Sequence, residues 1–393
     1  MIADLKRELA RLQAKGRLQD FSPLRDRQGA TISYKNKKLV DFTNWDLFDV
    51  SSNQTVLNVV HKGLEEWGLG ANAPRLSTGT NLQHLAFEKR LASFLGLERS
   101  LLFTSRNQAV LSLVTALLNE QCVAFVDELI QSPVADAAYL VNSNIVFFNP
   151  EKLEALETEL QKIPMNFKKF IFLEGLSPLR GRVPPLVELL ELALKYNSEL
   201  ILDESFSIGI FGLRGAGSLE LLNSEKMPFC IFASLSYGLS GLGAFVAGAS
   251  VLCEYLINQS RTFSSEASLP PAYIAGSEAA LNFIELSVAT RERIARLGLR
   301  LKSGLRDLSF KTDEIPCPLI CISFERLSFA SELAEGLFER GFLVEVLQRG
   351  GFLDNGALLR ILLGASHTEN HVDSLLQAIG DLISLFGNKS TLS

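Results

Sequence analysis

Between residues 100 and 249 the chain is punctuated by seven short, almost continuously apolar runs. They are "SLLF" (100–103), "CVAFVDE" (122–128), "NIVFFN" (144–149), "KKFIFLEG" (168–175), "ELILDES" (199–205), "FCIFAS" (229–234) and "AFVAGA" (244–249). Each has the length of a strand and lacks the polar alternation of a sheet with one wet face. Between them lie patterns such as "PPLVELLELALKYNS" (184–198), with apolar residues at helical spacing and prolines at the start. Strands that alternate with helices in this way predict a buried, largely parallel sheet.

After "LPPAYIAGSEAALNFIEL" (269–286) the texture changes. A helical stretch, "TRERIARLGLRLKSGLRDL" (290–308), leads to "LICISFE" (319–325), "FLVEVLQ" (342–348) and "ALLRILLG" (357–364), the pattern of a smaller α+β unit. The expected organisation is an N-terminal arm (1–45), a large α/β domain (46–290) and a small C-terminal α+β domain (291–393). The length of 393 residues suits one large and one smaller domain better than a single one.

Composition narrows the partners. The chain is 47% hydrophobic and 21% charged, with net charge −6 and both signs interspersed. No basic stripe offers a nucleic-acid footprint, so none is expected as partner. The start, "MIADLKRELARLQAKGRLQ", is charged and heptad-like, unlike a secretion signal. The longest apolar stretch, "GLSGLGAFVAGASVLCEYLI" (238–257), is glycine-rich and broken by Glu254, so no transmembrane segment is expected. A soluble, cytoplasmic chain with a large buried dimer interface fits these features. Of the five cysteines, Cys317 and Cys321 lack a second pair or a nearby histidine. Buried free thiols in a reducing compartment are expected, with no metal site.

In a parallel sheet, chemistry sits beyond the carboxyl ends of the strands. "ELILDES" ends in Asp203 and Glu204, and two readings stand: an acid that caps a turn, or one that pairs with a protonated ring nitrogen of a cofactor. "WGLGANAPRLSTGTNLQHLAFEKRLASFLG" (67–96) carries Arg75 in a glycine-rich loop ahead of a helix, either a phosphate-approaching loop or a plain connector. Arg360 lies inside an apolar strand, where a guanidinium must find an anion. A ligand carboxylate and an internal salt bridge are both open.

These pieces, taken in order, resemble the α-oxoamine synthases, pyridoxal 5'-phosphate (PLP) enzymes of the fold-type I aminotransferase class. The group includes 8-amino-7-oxononanoate synthase and serine palmitoyltransferase. The resemblance spans about residues 40–385 and rests on "PRLSTGTNLQHLAFEKRLASFLG", "FLEGLSPLRGRVPPLVELLELALKY", "LDESFSIGIFGLRGAGS", "SEASLPPAYIAGSEAAL" and "LLRILLGASHTENHVDSLL". It implies a fold-type I aminotransferase-like large domain with a mostly parallel sheet, and a smaller α+β domain. It assigns cofactor contacts to Asp203 (ring nitrogen) and Ser234 (phosphate), and substrate contacts to Arg360 and Arg75.

The resemblance also exposes what this sequence lacks. The family's "T-x-G-K-G" turn, whose lysine holds the cofactor as an imine, reads Ser234-Leu235-Ser236-Tyr237-Gly238 here. No lysine occurs between Lys226 and Lys302, so a shifted alignment does not restore it. The "D-x-x-H" strand end has Phe206 at the histidine, and the segment carrying the ring-stacking histidine reads "DELIQS", with Gln131 in its place. The loop usually reading "S-G-[FY]-x-A-N" is "TSRNQAV" (104–110). Loss of the lysine and both histidines removes imine formation, ring stacking and acid–base chemistry together.

No catalytic residue is therefore expected at Tyr237, Gln131 or Phe206, no covalent cofactor is expected, and PLP binds at most weakly or in a partner's site. The pattern is similar to the lysine-less, non-catalytic subunit of serine palmitoyltransferase. That likeness implies a homo- or heterodimer with a lysine-bearing α-oxoamine synthase, with acyl-CoA and an amino acid as the substrates. A stand-alone ligand-binding homodimer, or an enzyme of altered chemistry, are the other readings. In "SEASLPP" (265–271), Glu266 stands where relatives carry a hydroxyl residue near the neighbour's cofactor phosphate.

Overall fold

The computed structural model describes the chain except residues 15–17, 19, 20, 22, 165, 223–225, 349–355 and 387–393. Its strands, in chain order, are β1 (Leu24–Gln28), β2 (Thr31–Tyr34), β3 (Lys37–Asp41), β4 (Arg99–Phe103), β5 (Cys122–Asp127), β6 (Asn144–Phe148) and β7 (Lys168–Glu174). They continue with β8 (Ser198–Asp203), β9 (Cys230–Ser234), β10 (Ala244–Gly248), β11 (Leu319–Phe324), β12 (Phe342–Leu343), β13 (Glu345–Gln348) and β14 (Ala357–Leu362).

The seven apolar runs become one seven-stranded sheet in the order β4-β10-β9-β8-β7-β5-β6. Strands β9, β8, β7, β5 and β6 run parallel, and β10 is antiparallel to both its neighbours, β4 and β9. Both faces are covered, which is why the runs lack alternation. In β5, Val123 and Phe125 enter one apolar cluster, while Cys122, Ala124 and Val126 enter the other. Four of the five cysteines are fully buried in this packing or beside it, and Cys321 is partly so.

The C-terminal part packs helices Val288–Asp307, Leu327–Glu339 and Glu369–Phe386 around an antiparallel sheet of order β11-β14-β13. "FLVEVLQ" divides where the sequence suggested one strand. Phe342–Leu343 pairs in parallel with β3, and after Val344 the chain crosses to pair antiparallel with β14. Each half follows the neighbour that satisfies its backbone. The N-terminal segment thereby joins the C-terminal part through the sheet β1-β2-β3-β12. The preceding helix, Ile2–Ala14, buries no residue.

Two features deliver side chains to the strand ends. Phe42 O accepts from Leu362 N–H at 2.8 Å and Leu47 O from Ala365 N–H at 2.7 Å, so segment 42–47 runs beside the end of β14 and carries Trp45 inward. Elsewhere, segments 73–84, 235–243 and 267–269 are stitched together. Pro74 bridges Ala267, His84 Nε2 hydrogen-bonds Leu269 O at 3.1 Å, and a Cβ on Gly243 would lie 2.7 Å from the Leu269 side chain. Among the described residues no helix is long and apolar enough to cross a membrane.

A candidate site at the carboxyl ends of the central strands

Three adjacent parallel strands, β8, β7 and β5, end in buried acids: Asp203, Glu174 and Asp127. Glu174 and Asp203 are direct register partners. Two guanidiniums meet them. Arg106 opens the helix Arg106–Leu117, whose N-cap Ser105 accepts from Gln108 N–H. That cap aims Arg106 across the strand ends, where its Nη2 lies 2.6 Å from Asp203 and 3.4 Å from Glu174. Arg180 donates to both oxygens of Asp127 at 2.9 Å.

Three carboxylates against two guanidiniums would leave one unpaired negative charge out of water, an arrangement protein interiors avoid. Protonation of one acid resolves it; burial raises both Asp127 and Glu174, and the stronger upward shift is at Glu174. Burial foremost, and then the neighbouring Asp203 charge, hold its pKa well above the usual carboxylate range; Arg106 only partly offsets them. The Arg106 guanidinium stays a cation: burial works against it, and the Asp203 carboxylate foremost offsets that. The Gln131 backbone N–H donates to Glu174 at 3.0 Å, while the Gln131 side chain is exposed.

Over the acids lies an aromatic layer. Phe206 sits 4.6 Å from Tyr237 and 4.8 Å from Trp45 between ring centroids, and Trp45 is 5.4 Å from Tyr237. The Arg106 guanidinium lies 5.1 Å from the Phe206 ring, and that of Arg360 5.2 Å from Trp45. The turn that presents Tyr237 is closed by Leu235 N–H to Gly243 O at 2.9 Å. Gly238 follows Tyr237 because a Cβ there would fall 2.5 Å from Ile208 O. Ser234 is buried, donates its N–H to Ser205 Oγ at 2.8 Å and accepts at Oγ from Ser236 N–H at 3.1 Å. Beside Asp203, Glu204 is tied to the hydroxyls of Ser207 and Ser218, which fixes the following loop.

Arg360 closes the layer from β14. Its side chain is 8% exposed and pairs with Glu345 of β13 at 2.6 Å, its direct cross-strand partner, and also donates to Pro178 O at 3.4 Å. The structure thus brings Asp203, Ser234, Phe206, Tyr237 and Arg360 into one neighbourhood, with Gln131 present through its backbone. Arg75 stands apart from it. Its guanidinium holds Glu88 at 2.7 and 3.2 Å, and Arg75 shares a cavity of about 10 Å³ with Gln108, Phe263 and the exposed Glu266.

Sequence reading missed Arg106, Glu174, Trp45 and Glu345. Glu345 did leave a signal: a lone acid within the apolar run "FLVEVLQ", like Arg360 within "ALLRILLG". Trp45 sits in a segment whose composition marks nothing, and Arg106 in "TSRNQAV", a segment singled out only for departing from the family's loop.

PLP does not fit these residues as a covalently held cofactor: the turn carries a phenol in place of an amine, Asp203 already faces a fixed cation, and aromatic side chains fill the layer above it.

The family model "Aminotransferase class I and II" matches residues 38–379. An 8-amino-7-oxononanoate synthase of Methylococcus capsulatus is 30% identical over 346 residues, covering 88% of this chain and 89% of that protein. Among solved structures, Sphingomonas wittichii serine palmitoyltransferase superposes with a TM-score of 0.88 at 24% identity, over 98% of this chain and 97% of that one. A lysine-to-alanine variant of serine palmitoyltransferase from S. paucimobilis, with a bound PLP–myriocin aldimine, superposes at 0.90 with 22% identity, over 98% of each chain.

Proposed function

We propose that this chain, which belongs to the class I and II aminotransferase family and within it to the α-oxoamine synthases, is a non-catalytic partner subunit. Its partner would be a lysine-bearing synthase that condenses an acyl-CoA with an amino acid, of the serine palmitoyltransferase type used in sphingolipid-base synthesis. The observation that carries the reading is Tyr237. It takes the place of the imine-forming lysine and packs against Phe206 and Trp45, so its phenol belongs to an aromatic layer and not to a reaction centre. Asp203, Ser234 and Arg360 retain the family's anchoring positions, and each has a partner within the chain.

A partner role needs a surface, and the same segments offer one. Leu76, Leu82, Leu242 and Tyr273 are exposed on or beside the stitched segments 73–84, 235–243 and 267–269. Apolar side chains concentrated there suit an obligate interface. A dead subunit can bury that interface and support its partner's site after its own chemistry is lost.

The test is co-expression with a lysine-bearing α-oxoamine synthase. The expected result is a stable complex that releases CoA from acyl-CoA and amino acid, while this chain alone releases none. CoA release by this chain alone would establish altered chemistry, and a failure to co-purify with any such synthase would remove the partner reading.

A further inference from the structure

We propose that this chain supplies the occupants of its own pocket. The Arg106 guanidinium stands on Asp203 in place of a protonated ring nitrogen, and the Glu345 carboxylate stands on Arg360 in place of a ligand carboxylate. The inference deepens the reading above and rests on its assignment of Asp203 and Arg360.

The two pairs have opposite polarity and come from opposite sides. At the strand ends a fixed anion receives a cation from the helix Arg106–Leu117, at 2.6 Å, with Arg106 11% exposed and Asp203 fully buried. On β14 a fixed cation receives an anion from β13, also at 2.6 Å. Between them lie Phe206, Tyr237 and Trp45, each within 5.4 Å of the others, with Arg106 against the first and Arg360 against the last. A cation, an aromatic layer and a carboxylate thus follow one another from Asp203 to Arg360. That is the chemistry such a pocket would ask of a pyridinium-bearing amino-acid adduct, supplied here by side chains.

Energetics favour such a replacement. An unpaired buried carboxylate or guanidinium is costly, and a pocket that no longer binds its ligand would expose both. Arg106 and Glu345 remove that cost. They also tie the parts together: Arg360 of β14 donates to Pro178 O, beyond the end of β7, and Trp45 bridges Arg360 to Phe206 and Tyr237. The pocket is latched closed without a ligand.

The latch is tested on the full-length chain with pyridoxine 5'-phosphate, which has the ring nitrogen and phosphate but no aldehyde to decorate surface lysines. Wild type should show no saturable binding by calorimetry at millimolar concentration. Arg106→Gln should bind at least about tenfold more tightly, and Arg106→Gln with Asp203→Asn should lose that gain, because the ring nitrogen then has no anion. Equal affinity in wild type and Arg106→Gln would overturn the inference. So would retention of the gain in the double variant.

Glu345→Gln tests the other end without touching Arg106, and so holds if Arg106→Gln does not fold. It should acquire a saturable Trp45 fluorescence response to L-serine that wild type lacks. An equal response in wild type, or none in the variant, would overturn it. Co-purification with a synthase partner is read separately, so loss of the latch and loss of the partner role are distinguishable.

Discussion

At the residue scale the account turns on charge balance among Asp203, Glu174, Asp127, Arg106 and Arg180. Burial first, and then the Asp203 charge, raise the folded-state pKa of Glu174 above its unfolded value. The stability it contributes is therefore fully present below the unfolded pKa and is lost as pH rises through the folded one. Glu174→Gln keeps a neutral side chain at every pH. Urea unfolding of wild type and Glu174→Gln across pH 4 to 9 should show wild type losing stability relative to the variant as pH rises. A constant difference would contradict the assignment of the proton. Tyr237→Lys restores an amine but leaves Phe206, Gln131 and the Arg106–Asp203 pair in place. That variant alone should show no CoA release above wild type, and appreciable release would mean the rest of the site is intact. Tyr237, Phe206 and Asp203 could be singled out from sequence because they interrupt or preserve a motif, and the structure brings them into one neighbourhood. Arg106 could not, because the identity of Asp203's partner depends on a helix cap one residue upstream and on the packing of β4 beside β10, neither of which a local pattern encodes.

At the scale of elements, the central sheet was legible almost whole. All seven apolar runs are strands of it, because burial on both faces leaves a continuous signature. The small sheet was less legible. A four-residue and a two-residue strand meeting at Val344 share one apolar run, and only their partners separate them. The glycine-rich loop shows a different limit. Arg75 suits an anion ligand by composition, yet its anion is Glu88 of the following helix, which also accepts from Leu102 N–H at 2.9 Å. With both side chains about nine-tenths buried, the pair anchors loop to helix to sheet. Arg75→Ala leaves Glu88 short of its cation and should cost roughly 3 kcal/mol. Scanning calorimetry should then show a melting temperature about 6–12 °C lower. A change of less than about 2 °C would mean the pair is not an anchor.

At the scale of the molecule, the proposed reading needs a fold that stands without the family's chemistry, and much of this fold depends on other residues. Strand pairing and the joining of the N-terminal strands to β12 involve none of the lysine and histidine positions that differ from the family pattern, and Phe206 and Tyr237 at two of those positions pack with the apolar core. A chain with this surface and a self-filled pocket makes sense beside a partner that keeps its own cofactor. The most direct measurement is therefore the PLP content of the purified complex with a lysine-bearing synthase, by absorbance after alkaline release, against its protein stoichiometry. The account predicts one PLP per pair of unlike chains and none on this chain alone. Two PLP per pair, or stoichiometric PLP on this chain by itself, would contradict it.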